Sequence, residues 1–289
     1  MKIEKVQWKI ENKKNLIITM MKYGRILISM YSKEHLLFLK KRKKRKRFII
    51  FIQLLILIIF LSIWQLLADY NLINTFLFSS PKDIFNTIIS LSKSNLLDHI
   101  YITFYETIVS FLIASIIGLF IASILWLNKT LAEIFDPYLT VINSLPKVAL
   151  GPLIIIWVGA GVNSIIVMAL MISLILSIIN IYNSFLSTNE EYITLLKSMN
   201  ASKLQIFFKV IIPANYKNIF NAFKINISMS LIGVIMGELL VSKKGLGYLI
   251  MYGSQVFNIN LIITSVFILG LLSYVIYYIL KLIENYIFK

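Results

Sequence analysis

The sequence predicts an all-α integral membrane protein with six transmembrane helices and a helix-turn-helix loop on the cytoplasmic side. Three observations carry that prediction. Hydrophobic residues make up 58% of the 289-residue chain, whereas soluble domains hold ~45–50%, so the excess needs a second apolar solvent. Several runs approach or exceed the ~20 apolar residues that cross a bilayer as helix. The longest polar break among them, Ser187–Pro213, has the capping residues and periodicity of structure rather than of a slack linker.

Charge sets the orientation. Residues 1–47 hold 16 of the 29 Lys and Arg against Glu4, Glu11 and Glu34, a net +13 of the chain's +16. The run Lys40–Arg47 is wholly basic, a pattern that also binds nucleic acid. A hydrophobic run starts at once at Phe48, so the expected role is a positive-inside anchor touching anionic membrane lipid, with no nucleic-acid partner. Residues 1–47 are thus read as a basic cytoplasmic extension with apolar patches at Leu16–Met21 and Leu36–Leu39 that suit an amphipathic surface helix. Residues 48–289 are read as one polytopic domain. The absence of cysteine excludes disulfides, thiolate nucleophiles and cysteine metal sites. His35 and His99 lack partners at metal-ligand spacing and read as solvated loop residues. No cofactor is expected.

Span one covers Phe48–Ala68, with Trp64 at its far interface. Residues Asp69–Ile100 follow outside and include a helix from Pro81 to Ser92, capped by Ser80, with Pro81 in its first turn and Asp83 at the positive dipole end. Span two covers Ile102–Leu127. Its Ala114, Gly118 and Ala122 recur every fourth residue, a spacing that lets a neighbouring helix approach closely. Asn128–Asp136 reads as a short inside loop. Span three, Pro137–Val158, contains Pro146, Lys147, Gly151 and Pro152. Proline removes a donor and clashes with the preceding turn, and a broken span is tolerated in hydrocarbon only where protein or water surrounds it. These four residues are assigned to a pathway. A structural kink with Lys147 reaching the cytoplasmic surface is the alternative.

Gly159–Gly161 reads as an outside turn and Asn163–Tyr182 as span four. Span five, Ile219–Leu240, carries the close-packing pair Gly233 and Gly237 and ends near Glu238. Glu238 either faces the pathway, seats a partner subunit at an outer gate, or pairs with Lys243 or Lys244. The outside segment Val241–Asn260 includes Gly245 and Gly247, and span six covers Leu261–Ile283. Both termini fall in the cytoplasm.

The Ser187–Pro213 loop reads as two short helices. Ser187 with Glu190 makes a capping box, and Thr188 with Glu191 offers a second register. Tyr192, Leu195, Leu196 and Met199 form one apolar face. Asn200 tolerates the left-handed conformation that ends a helix. Ser202 and Gln205 make another capping box, Ile206, Phe207, Val210 and Ile211 a second apolar face, and Pro213 ends it. The expected role is a docking element whose polar face meets a cytoplasmic partner.

These residues resemble the membrane subunits (permeases) of binding-protein-dependent ABC importers. The family's cytoplasmic loop follows E-A-A-x3-G-x9-I-x-L-P. Here Thr194 stands at its Glu, Leu195 and Leu196 at its two Ala, Asn200 at its Gly, and Val210 and Ile212-Pro213 at its end. Asn143–Gly161 is similar to the third-span signature of the nitrate/sulfonate/taurine-type permeases. Gly237–Ile250, with Gly245-Leu246-Gly247-Tyr248, is similar to their fifth-span exit. The resemblance implies a type I ABC importer permease-like fold with a core about 98–284, in a bacterial cell membrane. It implies a coupling loop built on Glu191, Thr194, Leu195, Leu196, Asn200, Ala201 and Pro213. Separate ATP-binding cassette ATPase subunits would dock there, an extracytoplasmic substrate-binding protein would deliver solute, and a second permease copy would complete the pathway. It implies a small anion or organic substrate such as a sulfonate, nitrate, taurine or a vitamin precursor. The chain has no G-x-x-x-x-G-K-[ST] phosphate loop and no catalytic set, so it is expected not to be an enzyme. The competing reading, an ion-coupled secondary carrier, would require buried acidic residues, for which Glu106 and Glu238 are the candidates.

Overall fold

A computed structural model describes residues 33–287, and the expectations for residues 1–32 lie outside the described residues. The chain divides into two compact units between Leu67 and Ala68. In the first unit, α1 (Lys33–Asp69) contains neither glycine nor proline. The basic run is therefore not a separate surface segment but the first turns of the spanning helix, because nothing between Lys40 and Phe48 interrupts helical hydrogen bonding.

The second unit contains α2 (Thr75–Phe78), α3 (Pro81–Ser92), α4 (Leu96–Leu127), α5 (Lys129–Ser144), a 3₁₀ turn (Lys147–Leu150), α6 (Gly151–Val158) and α7 (Val162–Leu186). It continues with α8 (Glu190–Ser198), α9 (Lys203–Ile206), a π turn (Phe207–Ile211), α10 (Ile212–Val241), α11 (Leu246–Gln255) and α12 (Ile259–Ile287). Among the described residues, five helices are long and apolar enough to cross a membrane, and the α5–α6 pair makes a sixth crossing if counted as one span. The six-span all-α prediction holds.

Four boundaries differ from the sequence reading. Helix α4 begins at Leu96, six residues before Ile102, because helical hydrogen bonding does not stop where hydrocarbon does. The stretch read as an inside loop, Asn128–Asp136, is mostly helix. Asn128 caps α5 by accepting the Leu131 N–H at 3.2 Å, and Pro137 lies inside that helix. The break comes at Leu145–Pro146 instead, where α5 and the segment through α6 meet at 83°. Pro213 does not end a helix. It sits in the first turn of α10, and Lys203–Val241 runs as one 39-residue helical stretch. Its missing N–H and bulky ring would collide with an ordinary α-turn. The wider π turn immediately before it absorbs that misfit.

Helices α4, α7 and α10 form the centre. Their backbones approach at small residues, as the four-residue spacings predict. A Cβ on Gly233 would lie 2.5 Å from Ala169 Cα, and one on Gly237 would lie 2.9 Å from Ile165 Cα. On α4, a Cβ on Gly118 would lie 2.7 Å from Ser177 Cβ. Ser80 caps α3 as read from sequence, accepting the Asp83 N–H at 3.1 Å. Helices α11 and α12 pack on one another and enclose Leu246, Leu249, Ile268 and Leu272 with α4 and α10.

Gly233→Val should cost ~1–3 kcal/mol of stability by forcing α10 from α7. Gly270→Ala, which meets nothing within 4 Å, should be neutral. Unfolding midpoints of the detergent-solubilised protein check both.

Candidate functional site

The loop begins where α7 ends. Ser187 and Thr188 do not cap α8. Their hydroxyls donate back to the carbonyls of Ser184 (2.7 Å) and Phe185 (2.9 Å), because α7 runs on past Tyr182 to Leu186. Asn189 is the cap, accepting the Glu191 N–H at 2.9 Å. At the other end Asn200 adopts φ +57°, and the Ala201 N–H reaches back to the Leu196 carbonyl at 3.0 Å. That closes the helix as the sequence predicts. The Ser202–Gln205 capping box is present with both of its bonds, 2.8 and 3.3 Å.

Packing divides the expected apolar face of α8. Ile193, Leu196 and Ala201 turn inward against Ile206, Phe207 and Phe185. Tyr192, Leu195 and Met199 face outward and are 56%, 59% and 69% exposed. Glu191 and Thr194 are exposed beside them. The outward surface is therefore part apolar, not the polar face expected, because the inward turn is set by Ile193 rather than by Tyr192. Exposed apolar clusters rimmed by polar groups mark interaction surfaces.

The loop is fastened to the spans. Phe207 lies between Trp126 of α4 and Phe185 of α7, with ring centroids 5.3 and 5.5 Å away. Asn215, fully buried, donates to the Thr188 hydroxyl at 2.6 Å and to the Ile211 carbonyl at 2.9 Å, joining the end of α7 to the π turn. Near this end an open groove of about 360 Å³ lies between α7 and α10, lined by Asn180, Asn183 and Ser184 and by Asn218, Asn221 and Ile225. Its lining carries no charge.

At the broken span, Pro146 opens the 3₁₀ turn and Pro152 the first turn of α6. Lys147 is half-buried and donates to Asn143 Oδ1 at 3.1 Å. Gly151 is wedged between α10 and α7, with Leu240 Cδ1 and Met168 Cε 2.6 and 3.0 Å from where a Cβ would stand.

The far end of α10 holds a denser constellation. Helix α11 starts with three backbone N–H groups in need of acceptors, and side chains from two other spans supply them. The Gly245 N–H donates to His99 Nδ1 at 2.9 Å, the Leu246 N–H to Thr103 Oγ1 at 2.8 Å, and the Gly247 N–H to Glu238 Oε2 at 2.6 Å. Thr103 in turn donates to Glu238 Oε1 at 2.6 Å. The His99 ring stacks on Tyr248 at 5.9 Å, 7° from parallel. Gly245 has φ +111°, and a Cβ there would collide with the Glu238 carboxyl group, so glycine is required on both counts. Glu238 is 1% exposed and Glu106, one turn below Thr103, is fully buried.

Two sequence readings are corrected here. Glu238 pairs with neither Lys243 nor Lys244, which are exposed, because a hydroxyl and an amide already satisfy its oxygens. His99 is no solvated loop residue but a half-buried part of the α11 cap. His99, Thr103 and Glu106 share one face of α4, and a polar stripe at helical spacing in an apolar helix was the signal available. Among the described residues, no cluster of His, Cys, Asp or Glu suits a metal ion.

Residues 114–289 match the family of binding-protein-dependent transport system inner membrane components. A probable ABC transporter permease protein of Haemophilus influenzae is 28% identical over 225 residues, 78% of this chain and 91% of that one. The formylaminopyrimidine transport permease ThiX of Halalkalibacterium halodurans is 25% identical, covering 80% of this chain and 92% of its own. The putative aliphatic sulfonates transport permease SsuC of Bacillus subtilis is also 25% identical, covering 82% and 86%. An inward-facing structure of the MetNI methionine ABC transporter shares the fold, with TM-score 0.60 at 23% identity over 66% of this chain and 94% of that one.

Thr103→Val should destabilise the protein by ~1–3 kcal/mol, since it leaves the Leu246 N–H buried without an acceptor. Thr103→Ser should restore most of the loss. Helicity followed through an SDS titration reads both.

Proposed function

The chain belongs to the binding-protein-dependent transport system inner membrane components, and from that premise we propose a working cycle for it. It is an integral, multi-pass permease subunit of an ABC importer and not itself an enzyme. Two copies form one solute pathway in a bacterial cell membrane, with the N- and C-termini cytoplasmic. ATP-binding cassette ATPase subunits dock on the loop, and an extracytoplasmic substrate-binding protein delivers solute at the opposite face. The basic run Lys40–Arg47 rests among anionic lipid headgroups. The transport core occupies about residues 98–284.

The observation that carries the docking reading is the exposed Tyr192–Leu195–Met199 surface on a helix bolted to the spans through Phe207 and Asn215. A partner shifts a two-state pathway only by binding one state better than the other. Contact at α8, with Glu191, Thr194 and Asn200 at its rim and Leu196 and Ala201 as its inward seat, reaches α10 through continuous helix starting ahead of Pro213. At the far end that helix carries Glu238 and, through it, the Gly245–Gly247 turn, which acts as the outer gate. The bend at Pro146, Lys147, Gly151 and Pro152 lines the solute path, and the asparagine-rich groove receives solute at the loop end. The family assignment favours this ATP-driven cycle over an ion-coupled carrier.

The substrate is a small anion or organic molecule such as a sulfonate, nitrate, taurine or a vitamin precursor. The names of the SsuC and ThiX relatives support that class. A ligand screen on the substrate-binding protein that co-purifies with this chain tests it.

Leu195→Asp or Met199→Asp should weaken ATPase docking by about tenfold or more, as loss of a central apolar anchor does. Both variants should insert and melt like the parent. ATP hydrolysis and uptake by proteoliposomes of the whole complex provide the measurement, and parental coupling in both variants would remove the docking assignment.

A further inference from the structure

Glu106 and Glu238 pose a problem that the transport cycle leaves open. Both carboxyl groups are buried, and among the described residues no lysine or arginine is buried with them. No donor reaches either oxygen of Glu106. Glu106 lies one turn from Thr103 on the same buried face of α4, and Thr103 bonds the Glu238 carboxyl group at 2.6 Å, which makes the two carboxyl groups neighbours. Two carboxylates are both acceptors, and they bond to one another only through a proton.

We propose that Glu106 and Glu238 form a one-proton site in which Glu106 holds the proton and donates it to Glu238, whose charge pins the first turn of α11. The assignment follows from donors. Glu238 already receives the Thr103 hydroxyl and the Gly247 N–H, both at 2.6 Å, so both of its oxygens act as acceptors. Glu106 receives nothing, so the proton rests there. Without it, two like charges would share a buried site, a strongly unfavourable arrangement. With it, every oxygen of Glu238 faces a donor and the three N–H groups that open α11 stay occupied.

Other ionisable groups on the surrounding elements do not supply a substitute. Helix α4 contributes Asp98, His99 and the exposed Tyr101 and Tyr105, the link to α11 contributes Lys243 and Lys244, and α11 contributes Tyr248 and the exposed Tyr252. Helix α3 carries Lys82 and Asp83 in its first turn. Helix α6 has no ionisable side chain, and α7 has only Tyr182 near its other end. Those of α12, from Tyr274 to Tyr286, lie in its C-terminal half, and those of α10 besides Glu238, from Tyr216 to Lys224, lie in its N-terminal half. The site therefore gates the seating of α11 by proton occupancy. It reaches beyond the docking reading and stands or falls independently of it.

The test uses the full chain in lipid nanodiscs and hydrogen exchange of the peptide containing Gly245–Tyr248. Glu106→Gln keeps a neutral donor toward Glu238 and should exchange like the parent. Glu106→Ala and Glu238→Gln should each exchange about tenfold faster there. Raising the pH should speed exchange of the parent beyond the intrinsic chemical rate but leave Glu106→Gln on that rate. Infrared spectra should show a protonated carboxyl band in the parent that Glu106→Gln removes. If Glu106→Gln loosens α11 as much as Glu106→Ala, if its pH profile matches that of the parent, or if the band survives in it, the one-proton site is wrong. A docking variant such as Leu195→Asp should leave the exchange rate, its pH profile and the infrared band unchanged.

Discussion

In hydrocarbon a backbone N–H or C=O without a partner is expensive enough to forbid most conformations, and this protein is organised around the few places where its helices break. Each break has its own remedy. At Leu145–Pro146 a 3₁₀ turn takes over, with the Ala149 N–H reaching the Pro146 carbonyl at 2.8 Å. Ahead of Pro213 the helix widens to a π turn, and Asn215 answers the Ile211 carbonyl. Between α10 and α11 the chain turns sharply, and three side chains from α4 and α10 meet the exposed N–H groups. The first two repairs are local, whereas the third recruits His99 and Thr103 from 146 and 143 residues away in sequence. It is the one that fixes tertiary structure as well as backbone.

The third break and the second lie on the same helix. One end of the Lys203–Val241 stretch is clamped by Phe207 and Asn215, and the other presents Glu238 to α11. Small residues hold its last third close to α7, at Gly233 over Ala169 and Gly237 over Ile165. A rod that is stiff along its length and bonded at both ends transmits displacement with little loss, because packed interiors shift between discrete arrangements and do not deform continuously. The ion pair between Lys224 and Glu284, at 2.6 Å, ties the middle of the same rod to the last turns of α12.

Much of this was legible before any coordinates. Apolar run length identified the spans, four-residue spacing identified Gly233 and Gly237, and the turn at Asn200 followed from that residue's tolerance of positive φ. The failures have physical causes. Boundaries slipped because helices such as α4 extend beyond their apolar stretch. The break in the third span was anticipated, but its start was assigned to Pro137, which α5 accommodates within the helix. Pro213 was read as a terminator because the compensating π turn leaves no mark in composition. Glu238 was offered the nearest lysines because sequence shows neighbours in the chain, whereas its partners come from another span. The same blindness hid His99 and Thr103, whose role exists only once α4 and α11 are side by side.

One feature of the first helix constrains motion. Its apolar stretch, Phe48–Ala68, is ~31 Å long at 1.5 Å per residue, close to the ~30 Å hydrocarbon thickness. Eight consecutive basic residues precede it and Asp69 closes it. A slide of one helical turn, ~5.4 Å, along its own axis would draw charge into the edge of the hydrocarbon from one side or the other, where each charge costs part of the ~2.5–3.5 kcal/mol it would cost at the centre. Charge at both ends of the apolar stretch therefore opposes axial sliding in either direction, as a stop at each end of a shaft does.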